Sequence, residues 1–151
     1  MDRLPNNQHD ALALTSASLT AALASDWHRA MRLLQQVGDE CGPDGVDRAL
    51  LALCDTAIHV SGIVPGTPVA ISWQAVDGDG AITGPDEVTR PEVVWAGRML
   101  AARAADDEEQ WDALLAAAPE DEIAFGRHAG ALLEMSALII AREKGVKIGE
   151  R

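Results

Sequence analysis

At 151 residues the chain can bury the core of one ordinary domain, and 48% hydrophobic with 24% charged residues argues against a disordered polyelectrolyte. Its net charge of −12 argues against binding DNA, RNA or an anionic membrane surface, which relies on clustered Lys and Arg. Aromatic residues are only 3% of the chain, so core volume must come from aliphatic side chains and abundant Ala.

Two cysteines, Cys41 and Cys54, lack a CxxC spacing, and no apolar run follows Arg3, so the expected setting is a reducing cytoplasm. The longest apolar stretch, residues 129–141, falls short of the roughly 20 residues of a membrane span and contains Glu134, so a buried helix is expected there.

In chain order, residues 10–24 predict a weakly amphipathic first helix with Leu12, Leu19 and Leu23 on its apolar face, and Ser25 is placed to cap the next helix. Trp27, Ala30, Met31, Leu34 and Val37 keep the i, i+3, i+4 spacing of that second helix, which Gly38 is expected to stop. After a turn over residues 41–45, Val46, Leu50, Leu53, Cys54, Ala57 and Ile58 mark a third helix, ending near Gly62. Residues 63–87, broken by Pro65, Gly66 and Pro68 and carrying Asp77-Gly78-Asp79-Gly80, predict a short β-hairpin or ordered loop. The same tract fails the calcium-loop pattern at Ala81, Ile82 and Val88.

Thr89, Pro91 and Glu92 have the spacing of a capping box for a helix over residues 90–104, and Asp106 with Glu109 repeats it before Trp111, Leu114 and Leu115. Pro119 should open the last helix, with Gly145 closing it after Lys144. The expected fold is an all-α, single-domain bundle of five or six helices over residues 1–151, with flexible ends at 1–9 and 146–151. A helix apolar on nearly every side, as residues 129–141 read, must be covered on nearly every side. It is therefore expected to be the central helix or one half of a homodimer seam.

No G-x-S-x-G elbow, catalytic cysteine setting or phosphate-cradling Gly loop occurs, so no catalytic residue and no cofactor is predicted. Asp55 and His59, four apart on one helix, could give two metal ligands, with His128 or Glu134 completing the set; helix-end electrostatics and local ion pairing explain the first two as well. The acidic runs Asp106-Asp107-Glu108-Glu109 and Glu120-Asp121-Glu122 fall at expected helix starts, where the dipole favours carboxylates. Three functions are thus open: a non-enzymatic module that binds an unknown protein partner or itself, a metal-binding protein or enzyme with a site between helices, and an acidic nucleic-acid mimic.

Overall fold

A computed structural model describes residues 6–64, 66, 75–76, 82–83 and 90–149, and its fold is all-α. Five helices run in order: α1 (Asn6–Leu23), α2 (Trp27–Ser61), α3 (Pro91–Ala104), α4 (Glu108–Ala117) and α5 (Glu122–Lys144). The two-residue segments Ala75–Val76 and Ile82–Thr83 pair antiparallel. The Asp-Gly turn at 77–80, the calcium-loop pattern, Pro65, Pro68 and Thr89 lie outside the described residues.

The helix expected to stop at Gly38 runs on. Gly38 is helical, and the backbone breaks at Gly42 (φ 68°, ψ −170°), a conformation open essentially to glycine alone, with Pro43 starting the second half of α2. The expected second and third helices are therefore one kinked element, closed by Gly62 in the left-handed conformation (φ 75°). Gly45 fits because it has no side chain: a Cβ there would lie 2.2 Å from the Cys41 Cβ.

A three-residue turn folds α1 back on α2, with Ser18 Oγ donating to Ala30 O at 2.7 Å and Ala11 packed beside Val37, Cys41 and Ala49. Of the expected apolar face, Leu19 and Leu23 pack partly buried against the core, and Leu12 alone is corrected. Leu12 is 39% exposed, whereas Ala11, Thr15, Ser18 and Ala22 face inward. Helix backbones approach closely only where side chains are small, and the hydroxyls of Thr15 and Ser18 stay satisfied by donating to the carbonyls of Ala11 and Ala30.

Several caps lie one or two residues from their expected places. Asp26, not Ser25, caps α2; Arg90 is the N-cap of α3, with Pro91 after it; and Asp107, not Asp106, caps α4. At α2 and α4 the neighbouring residue was needed elsewhere: Ser25 and Asp106 take positive φ (64° and 55°) to turn the chain. Asp121 caps α5, and Pro119 lies in the link before it.

Helix α5 is the central helix, packed on α2, α3 and α1, and residues from Ala129 to Ala141 are buried except around Glu134, Leu138 and Ile139. Its length and composition would suffice to cross a membrane, and half of that apolar window is buried inside the fold. Because α1, α2 and α3 of the same chain supply the cover, the packing reason for expecting a second copy on this seam is met internally.

Helix α1 already runs from Asn6, and after Gly145 (φ 68°) the chain returns to the α1–α2 turn. Gly149 N donates to Ser25 Oγ and Gly149 O accepts from Trp27 Nε1, both at 2.7 Å, while Ile148 packs on the cluster of Trp27, Leu53 and Leu133.

Candidate functional site

The first half of α2, residues 27–41, presents a wide apolar arc. Trp27, Ala30 and Val37 turn into the core, where α1 and α5 meet them, and Met31 and Leu34 sit at the edge. Gln35 Nε2 donates to Glu122 Oε1 at the start of α5, while Trp27 shares its cluster with Leu133 further along, so α5 runs antiparallel to this half of α2. The Gly42 break swings the second half of α2 under the pair. Between these three segments opens a groove of about 990 Å³.

Its surfaces are mainly apolar: Met31, Leu34, Val46, Leu50, Phe125 and Ala129 line it, together with Leu115 of α4. Three glycines, Gly38, Gly42 and Gly126, leave room on its walls. Ile123 lines the opening and is 71% exposed, the most exposed large apolar side chain among the described residues.

Among the described residues four ionisable side chains line the groove: His28 and Asp47 from α2, Glu122 and Arg127 from α5. Asp47 Oδ1 accepts from the Trp111 indole at 3.2 Å, which anchors α4 on α2. Gln35 Nε2 stands 3.3 Å from both Asp39 Oδ1 and Glu122 Oε1, so one neutral amide bridges carboxylates on two helices.

The sequence-predicted ligands do not meet. Asp55 is exposed and held by Arg103 through two hydrogen bonds, Nε to Oδ1 at 2.7 Å and Nη2 to Oδ2 at 3.2 Å; that bonding pushes the Arg103 guanidinium pKa further up. His59 is exposed in the last turn of α2. His128 packs edge-on against Trp95, ring centres 5.4 Å apart, with Nδ1 2.9 Å from Ala124 O. Glu134 is half-buried on α5. Among the described residues no three His, Cys, Asp or Glu side chains gather as a metal-binding group. Helical spacing put Asp55 and His59 on one turn, but it carries no information about α5, and the cation that reached Asp55 came from α3.

The acidic runs have structural duties. Asp107 Oδ1 accepts from Gln110 N and Asp121 Oδ2 from Ala124 N, capping α4 and α5. Cys54 is fully buried, and burial pushes its thiol pKa well above the ordinary range, the reverse of what a nucleophile needs. Sequence reasoning missed the groove, although Trp27, Met31, Leu34 and Val37 were legible as one face. The usable signal was their breadth together with the Gly42-Pro43 break, which stops one neighbour from covering the whole face.

Compared with models of known protein families, with curated proteins and with solved structures, the chain finds no match.

Proposed function

We propose that this chain is a non-enzymatic protein-interaction module, and that the groove between α2 and α5 receives an amphipathic helix of a partner protein. The observation that carries the reading is the groove itself, a half-open apolar channel with Ile123 71% exposed at its mouth. Burying one such side chain fully is worth about 1.5–3 kcal/mol, so an occupant gains most from apolar contact. Residues 27–42 bound one side, which at 1.5 Å per residue is about 22 Å or four helical turns. That length suits a helix laid in a groove with anchors at i, i+3, i+4 and i+7.

A second copy of this chain fits less well as the occupant. Its other exposed large apolar side chains among the described residues, Leu12, Val64, Leu138 and Val146, sit on separate segments and form no stripe to insert. A photo-crosslinking amino acid replacing Ile123 should trap a discrete partner in native extract, and the same group replacing Leu138, outside the groove, should trap far less. Equal trapping at both positions would count against the groove, and a product containing only this chain would identify self-association instead.

A further inference from the structure

We infer that residues 146–149 are a releasable strap that holds Trp27 in the wall of the groove, so that strap closure and groove occupancy are coupled. The inference rests on the groove being the docking site and adds a means of regulating it. Trp27 belongs to both features: it lines the groove, and its Nε1 donates to Gly149 O at 2.7 Å. Gly149 N donates in turn to Ser25 Oγ at 2.7 Å, and Ser25 is the residue whose positive φ of 64° turns the chain from α1 into α2. The apolar contact is shared as well. Ile148 of the strap packs on the cluster around Trp27, Leu53 and Leu133, and so do Met31 and Leu34 of the groove.

The strap is lightly held, since Val146, Lys147 and Gly149 are exposed and Ile148 is only partly buried. A segment with so little buried contact opens at a lower cost than the core beneath it. Opening takes the Gly149 carbonyl away from the indole N–H of a side chain that is only 8% exposed. An unmet donor there is costly, so Trp27 must shift to reach another acceptor, and the groove loses a preorganised wall. An occupant that packs on Trp27 therefore favours the closed strap, and by reciprocity the closed strap favours the occupant by the same factor.

Hydrogen exchange of the Trp27 indole N–H, followed by NMR in the full chain, reads whether the strap is closed. The Trp95 indole N–H, bonded to Leu114 O at 2.9 Å, reads the rest of the fold. Ile148→Asp places a charge on the apolar contact, and Gly149→Pro removes the N–H that Ser25 accepts; neither residue lies in a helix or lines the groove. The probe is a 16-residue amphipathic helical peptide free of Trp, with Leu at i, i+3, i+4 and i+7. Both variants should speed exchange at Trp27 and not at Trp95, and should weaken peptide binding by about five-fold or more, as expected when the competent state becomes less populated. In the unaltered chain, saturating peptide should slow exchange at Trp27.

Contrary results separate the strap from the groove. If exchange at Trp27 is unchanged in both variants, or rises while the affinity stays the same, the coupling falls; the groove stands as long as Ile123→Asp abolishes binding. If the peptide does not bind, or binds regardless of Ile123→Asp, the groove reading falls and the inference falls with it.

Discussion

Gly45 and Gly42 do different things within four residues of each other. Gly42 takes a backbone conformation that an L side chain resists, with open space around it; Gly45 has ordinary helical backbone but would put a Cβ 2.2 Å from that of Cys41. Gly45→Ala should therefore cost about 1–3 kcal/mol through overpacking, read as a lowered urea midpoint; an unchanged midpoint would mean the break relaxes freely. Cys54 gives a pH signature. Its folded-state pKa lies above the unfolded value, so the stability held by the neutral thiol is fully present below about pH 8.5 and is lost as pH rises further. Above that pH the unfolded state binds fewer protons than the folded one, and stability should fall by on the order of 1.4 kcal/mol per pH unit from this group. Cys54→Ala should make the fall shallower, and an identical slope in the variant would contradict the assignment. At this scale the sequence was only partly legible. Gly62 and Gly145 read correctly as helix stops, but Gly38 did not, because a glycine ends a helix only when the chain beyond it has somewhere else to pack.

Helix α1 buries small residues beside two of its three expected leucines, Leu19 and Leu23, and leaves Leu12 outside. The Leu positions of an amphipathic pattern identify an inward face when the neighbour is at ordinary distance. Here the close approach of α1 and α2 reserves that face for Ala11, Thr15, Ser18 and Ala22, and Leu12 is left at the surface. The expected outcome runs against hydropathy: Leu12→Ser should change stability by less than about 0.5 kcal/mol, while Ser18→Leu should cost about 1–3 kcal/mol. Thermal unfolding of the two variants decides it, and the opposite order would mean that Leu12 and not Ser18 faces the core. Helix α5 was far more legible, since a run of residues apolar on nearly every side has few places to go except the middle of a bundle. What its pattern left open was whether the cover came from this chain or a second one, and α1, α2 and α3 supply it.

Across the whole molecule, the all-α class and the order of the helices came from periodicity and punctuation, because those are local signals. The groove did not, since it exists only where α2 breaks, α5 runs antiparallel to it and Leu115 of α4 closes one side. The same distinction explains the metal reading: Asp55 and His59 share a turn, but convergence with His128 depends on helix packing, which carried Asp55 to Arg103. Each core helix is covered by its neighbours, yet the groove keeps apolar surface open, and that is the basis for proposing a binding role. The most direct test is a backbone-amide NMR titration of the ¹⁵N-labelled protein with a 16-residue amphipathic helical peptide carrying Leu at i, i+3, i+4 and i+7. The account predicts saturable shifts concentrated in residues 27–50 and 122–129, with residues 106–109 unmoved despite their four carboxylates. Shifts centred on residues 106–109, or scattered over the acidic surface without saturation, would contradict it.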